Sequence, residues 1–159
     1  MADFLDLYGK TSKAVRALAE EAMRRRGLHL GQNLLLAALG DQDGRTPGEI
    51  ASALNVATPT VVKSATRMAA SGLIARNPDG IDRRLVRLWL TSKGRALLKP
   101  IEADRCLIEE RITAELTVPE RKHLISALTK IHRTAHELLT DDSRGKAQDS
   151  AKPRLTKEL

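Results

Sequence analysis

"TPGEIASALNVATPTVVKSATRMAASGLIAR", residues 46–76, decides the fold. Thr46 suits a helix N-cap, Pro47 suits the first helical position, and Glu49 stands where it closes a capping box. A short helix follows through Ile50, Ala51 and Leu54, and Asn55-Val56-Ala57 makes a tight turn. Thr58-Pro59 repeats the cap-then-proline pattern and opens a second helix, which reaches about Ala70 and is ended by Gly72. Two short helices joined by about three residues make a helix-turn-helix. Spacing divides the second helix into two faces. Val61, Ala65 and Met68 share one and are expected to pack inward. Thr60, Lys63, Ser64 and Arg67, at i, i+3, i+4 and i+7, share the other. An ordinary solvated face mixes charge signs, whereas this one carries no acid.

The next stretch predicts a hairpin. Leu73 to Arg76 forms one strand, and Asn77-Pro78-Asp79-Gly80 supplies turn formers. Val86, Leu88 and Leu90 alternate with Leu85, Arg87 and Trp89, the period of a strand. A helix-turn-helix followed by a two-stranded hairpin is a winged helix. The tip, "IDRR" at 81–84, holds out Arg83 and Arg84, and Arg87 follows on the second strand. Arginine at a wing tip is placed for the minor groove beside the helix's major-groove site. Asp82 would be repelled by phosphate, so its expected role is to pair with a wing arginine and hold the loop in shape, worth only ~0–1 kcal/mol.

Charge points the same way. The net charge is +7, and all of the excess lies in residues 57–99, which hold nine basic and two acidic side chains; the remainder carries eighteen of each. Such a block is the footprint expected for a polyanion.

The flanks read as long amphipathic helices. Residues 3–26 place Phe4, Tyr8, Val15, Leu18 and Ala22 mostly at three- and four-residue steps, and Arg24-Arg25-Arg26-Gly27 closes the helix. Residues 31–39 form a short apolar helix. Thr91 caps a helix running to about Glu115, with Leu97, Ile101, Ile108 and Ile112 along one side. Thr117 and Glu120 form another capping box, and that helix carries Leu124, Leu128, Ile131, Ala135 and Leu138. The winged helix needs little extra cover, so these faces are expected to bury each other across a two-fold axis, matching a palindromic operator with half-sites ~34–36 Å apart. The expected plan is mainly α: a winged helix-turn-helix lobe at 28–99, flanked at 1–27 and 100–140 by long N- and C-terminal dimerisation helices. The whole of 1–140 then forms one domain, and 141–159, polar and aperiodic, is expected to be a disordered tail.

Other classes find little support. No run is long enough to span a bilayer. The start lacks a signal-peptide core, and the one cysteine, Cys106, precludes an internal disulfide, so a cytoplasmic protein is expected. No glycine-rich phosphate loop, nucleophile–base set or paired carboxylates point to an enzyme, and no cofactor is implied. His132 and His136, at i and i+4, permit metal binding, but no third ligand lies nearby in sequence, so no metal is expected.

With these elements in place, the sequence resembles the MarR (multiple antibiotic resistance regulator) family of winged-helix transcription regulators. The resemblance rests on "LHLGQNLLLAAL", residues 46–76, and above all "DRRLVRLWLTSKGRALL": an Asp-Arg-Arg wing, an alternating strand, then Leu-Thr-x-x-Gly opening a helix. It implies a homodimer built by the first and last helices, binding double-stranded DNA and repressing a nearby operon until a small molecule or oxidation relieves it. It places Thr58, Thr60, Lys63, Ser64 and Arg67 on the recognition helix and Asp82, Arg83 and Arg84 in the wing. Ala57 stands where the family often has a capping Ser, so Thr58 is expected to cap instead; His29 stands where a Thr often opens the second helix. The implied effector cleft lies between the dimer helices and the DNA-binding lobe. In a chain with only Phe4, Tyr8 and Trp89 as aromatics, Tyr8, His29 and Trp89 are its candidate lining, with structural roles as the alternative. Cys106 falls in a late helix, where it fits a buried small hydrophobe better than a redox sensor, although Arg105 beside it could lower its pKa. The competing functional class is a non-specific architectural DNA binder, separated from a repressor by a specificity ratio of ~10³–10⁷.

Overall fold

The computed structural model describes residues 3–150, with side chains through residue 140. It has six helices and two strands among those residues: α1 (Phe4–Arg25), α2 (Gln32–Asp41), α3 (Pro47–Leu54), α4 (Thr58–Ala70), β1 (Ile74–Pro78), β2 (Val86–Leu90), α5 (Ser92–Ile112) and α6 (Val118–Ser150). Two compact units are distinguished, Met1–Arg111 and Ile112–Leu159, so the division falls inside the single 1–140 domain expected from the sequence.

Caps set the boundaries in the first unit. Asp3 caps α1 by accepting the Leu5 N–H. Thr46 Oγ1 accepts the Glu49 N–H at 3.2 Å, and Glu49 Oε2 accepts the Thr46 N–H at 2.7 Å, so the capping box of α3 forms as expected. Asn55 ends α3 in the left-handed region, φ 52°. The α4 cap differs from expectation: Ala57 occupies the N-cap with no side-chain hydrogen bond, and Thr58 is already helical. Pro59, at N2, costs the helix nothing, because the first N–H groups have no intrahelical partner. Gly72 takes φ 73° past the end of α4, so that the Leu73 N–H reaches the Met68 carbonyl at 2.9 Å and Leu73 turns into the core.

One core joins these pieces. Leu35, Leu36 and Leu39 of α2, Ile50 of α3, Met68 of α4 and Leu88 of β2 are its largest fully buried side chains. Each contributes roughly 1.5–3 kcal/mol on burial. Leu97, Leu98, Ile101 and Ile108 of α5 pack against it, and Leu28 and Met23 close it beside α1. Arg26 then ties α1 to α5 through a bidentate contact with Asp104, its Nη2 donating to Oδ1 at 2.8 Å.

β1 and β2 pair antiparallel with Ile74 opposite Leu90, Arg76 opposite Leu88 and Pro78 opposite Val86. The strand therefore continues through Asn77-Pro78, where the sequence predicts the turn to begin. Proline is tolerated because this is an edge strand, where the missing N–H need not face a neighbour. Arg45 adds a third rung to the sheet: the Leu88 N–H donates to its carbonyl at 2.9 Å, and the Gly44 N–H donates back to the Leu88 carbonyl at 3.0 Å. Asp43 locks the same corner, its Oδ1 accepting the Leu90 N–H at 2.9 Å and its Oδ2 accepting from Arg95 Nη2 at 2.7 Å. Thr91 caps α5 as expected, accepting the Gly94 N–H at 3.1 Å. Gly94 is required there by close approach, since a Cβ would stand 2.1 Å from the Leu73 carbonyl oxygen.

In the second unit, Thr117 and Glu120 form the capping box that opens α6. Leu124, Ile125, Leu128, Ile131, Leu138 and Leu139 stay exposed along it. The expected disordered tail is corrected at its start: α6 continues to Ser150, because 141–150 contains no proline and a single glycine to interrupt it. Residues 151–159 of that expected tail lie outside the described residues. No described helix is long and apolar enough to cross a membrane.

Candidate nucleic-acid interface

The division of α4 follows its spacing. Val61, Ala65 and Met68 are buried, while Thr58, Thr60, Lys63 and Arg67 are exposed and Ser64 is half-buried. The exposed side of the helix therefore presents two cations with hydroxyls beside them. Neither Lys63 nor Arg67 makes an ion pair among the described residues, so their donors remain available to an outside acceptor.

The wing is organised by Asp79, which the sequence places in the turn and gives no further role. Asp79 is buried. Its Oδ1 accepts the N–H groups of Ile81 at 2.8 Å and Asp82 at 2.9 Å, and its Oδ2 accepts from Arg87 Nε. The Asp82 N–H, the Arg87 guanidinium and the Ile81 N–H together stabilise the anion and hold this carboxyl at a pKa of about 2. One expectation is corrected here. Among the described residues Asp82 pairs with no arginine side chain; it shapes the tip by accepting the Arg84 N–H at 3.0 Å, and its carbonyl accepts the Leu85 N–H at 2.9 Å. Arg87, expected as a wing contact to DNA, is engaged within the fold. Besides Asp79, it donates from Nη1 to the Gly44 carbonyl at 2.8 Å and lies 3.7 Å from Glu49 Oε2. Such a fork, with donors in fixed directions, is what lets one side chain join a turn to a loop. The sequence signal for this is only the presence of Asp79 before the strand that carries Arg87.

The basic block thus sorts into two sets. Arg76 donates to Thr66 Oγ1, Lys93 to the Ser71 carbonyl, Arg95 to Asp43 and Arg87 to Asp79. These cations are occupied within the fold. Lys63 and Arg67 on α4, Arg83 and Arg84 at the exposed tip, and Lys99 on α5 are not paired in this way among the described residues.

The three candidate lining residues of an effector cleft are not brought together. Tyr8 stacks on Phe4 with ring centroids 5.8 Å apart and is half-exposed. Trp89 lies across Gly44, where a Cβ would come within 2.5 Å of its ring. His29 borders an open groove of about 490 Å³ whose walls include Arg16, Glu20 and Arg24. Tyr8 and Trp89 do not line it. Cys106 is exposed rather than buried. Partial loss of hydration, then the Glu102 carboxylate 3.6 Å away, pushes its thiol above the ordinary value. Arg105 opposes this weakly, because its guanidinium is engaged by Glu102 and Glu109. His132 and His136 stand exposed on α6 with ring centroids 6.4 Å apart, and no group of three or more potential metal ligands occurs among the described residues.

Comparison with known proteins matches this architecture. The model of the MarR family matches residues 26–85, the stretch from the end of α1 through the wing tip. The HTH-type transcriptional repressor MdtR of Bacillus subtilis is 30% identical over 115 residues, which cover 72% of this chain and 74% of MdtR. A crystal structure of MepR from S. aureus in complex with DNA superposes with a TM-score of 0.76 at 24% identity, covering 84% of this chain and 99% of that one. The structure of Bordetella bronchiseptica BpsR, a protein whose DNA binding is regulated by 6-hydroxynicotinic acid, superposes with a TM-score of 0.72 at 25% identity, covering 82% and 93%. Winged-helix geometry, an outward basic helix face and this degree of likeness agree: the chain belongs to the MarR family of DNA-binding transcription regulators.

Proposed function

We propose that this regulator is a homodimeric repressor that binds a palindromic operator and is released from it by a small-molecule effector. The observation that carries the DNA-binding geometry is the sorting of the basic block: among the described residues, two cations on the exposed side of α4 and two at the wing tip make neither a side-chain hydrogen bond nor an ion pair within the fold. α4 is of a size to enter the major groove, where Lys63 and Arg67 donate to guanine edges or phosphate and Thr58, Thr60 and Ser64 bond to neighbouring acceptors. Arg83 and Arg84 then reach the adjacent minor groove.

Two-fold pairing is supported by exposed apolar surface. Phe4, Leu5, Leu7 and Tyr8 of α1 are about half-exposed or more, and so is Leu138 of α6. A soluble chain rarely leaves so much apolar surface uncovered. Repression is supported by the 30% identity to MdtR, described as a repressor, and release by an effector is supported by BpsR. The groove beside His29 is the candidate entry for such a ligand.

The test is binding of the purified protein to DNA from its own upstream region with random competitor present, together with its sedimentation mass. Competitor-resistant binding of a dimer to one inverted repeat is the expected result. Equal, weak binding to all sequences would assign the chain to the architectural class instead.

A further inference from the structure

The tip of the wing carries an apolar side chain in full solvent. Ile81 is 99% exposed, while the other large exposed hydrophobics range from 38% to 70%. Those others lie mostly on the faces of α1, α5 and α6, whereas Ile81 stands between Gly80 and Asp82 beside the two free arginines. Its backbone is held tightly. The Ile81 N–H donates to Asp79 Oδ1 at 2.8 Å, the Asp82 N–H to the same oxygen at 2.9 Å, and the Arg84 N–H to Asp82 Oδ1 at 3.0 Å. The fold thus fixes the loop and leaves the side chain free. A β-branched residue also has few χ1 rotamers to lose when it is covered.

We propose that Ile81 is the apolar contact of the wing with DNA, seated against the floor and sugar walls of the minor groove where Arg83 and Arg84 engage the phosphates, and that it selects A·T pairs there. This rests on the operator-binding function proposed above. Two features favour DNA as the occupant. The flanking cations are free and point to a polyanion, and the tip is narrow enough for a groove but offers no broad apolar patch for a protein partner. The base preference follows from groove chemistry. A G·C pair projects the guanine 2-amino group into the minor groove, and A·T pairs project no donor there. An isoleucine on the groove floor would bury that amino group without a partner, so G·C is disfavoured.

The experiment uses the full chain and variants Ile81→Ala and Arg83→Ala/Arg84→Ala, with operator duplexes carrying A·T, G·C or inosine·C pairs at the wing-facing positions. Inosine lacks the 2-amino group but keeps the major-groove face of guanine. Wild type is expected to bind A·T and inosine·C alike and G·C more weakly. Ile81→Ala is expected to bind the A·T operator roughly tenfold more weakly, lose the preference, and keep both its melting temperature and its slope of log K against log salt. Unchanged affinity and preference in Ile81→Ala, or a preference lost only with the arginines, would overturn the assignment while leaving the operator function standing. Failure of wild type to prefer any site would overturn both.

Discussion

Asp79 and Arg87, eight residues apart, close the wing on itself: Arg87 Nε donates to Asp79 Oδ2 while Asp79 Oδ1 gathers the tip's N–H groups. The other end of the same guanidinium reaches the Gly44 carbonyl, just before the helix-turn-helix begins. One side chain therefore sets the wing against the element that carries the recognition helix. Loss of either partner is expected to loosen the tip without unfolding the core, since neither belongs to the apolar cluster.

Asp79→Asn removes the anion and half of its acceptor capacity. Amide hydrogen exchange at Ile81 and Asp82 is expected to quicken about tenfold or more, with the core amides unaffected. Arg87→Lys should do much the same, because an ammonium is a point charge and cannot span Asp79, Gly44 and Glu49 together. Exchange at the tip that matches wild type in both variants would mean the loop is shaped by its turn residues alone.

The pH dependence has a definite sign. The folded Asp79 carboxyl titrates at about 2, below its ordinary value, so its contribution is complete above the unfolded pKa and is lost as pH falls toward 2. Wing order is therefore expected to be constant across the neutral range and to fail only in strong acid. Following the Asp79 carboxyl by ¹³C NMR checks this; a midpoint at the ordinary carboxylate value would mean that the tip N–H bonds and the Arg87 pairing are both absent in solution.

Helix and wing cations should differ in how they fail. Arg67→Ala is expected to weaken operator binding by ~1–3 kcal/mol and relax specificity at one position, if it reads a base. The pair Arg83→Ala/Arg84→Ala should weaken binding to all sequences and reduce the salt slope by roughly 2, because each arginine that neutralises a phosphate contributes about one to that slope. Titrations across a salt series separate the two, and an unaltered slope in the wing variant would remove its arginines from the DNA.

Gly94→Ala tests the junction of α5 with β1. The added Cβ would meet the Leu73 carbonyl oxygen at 2.1 Å, and backbone must move to relieve it. A loss of roughly 1–3 kcal/mol or more is expected in thermal or urea unfolding. An unchanged midpoint would show that α5 can shift freely away from the wing.

Much of the fold and part of the interface are legible in the chain itself. The capping boxes at Thr46 and Thr117, and the inward set Val61, Ala65 and Met68, depend on neighbours three to seven residues away, and local spacing reports such neighbours directly. The winged-helix plan follows from the same local signals. Chemistry that reaches further is harder to read. Arg87 resembles a solvated wing residue, because a long charged side chain on a two-stranded wing is usually exposed, and the partners it finds lie eight and forty-three residues away. Cys106 reads as buried because its helix is apolar on one side, yet the thiol falls on the other.

By itself, then, the sequence determined where most of the helices and strands lie, which face of α4 is apolar, and that the excess positive charge lies on the DNA-binding lobe. Only the tertiary structure decided which cations are free. Arg95 finds Asp43 fifty-two residues away, Arg87 finds Gly44 forty-three away, and Arg26 finds Asp104 seventy-eight away. Those pairings exist because the fold brings distant backbone together, and no local period encodes them.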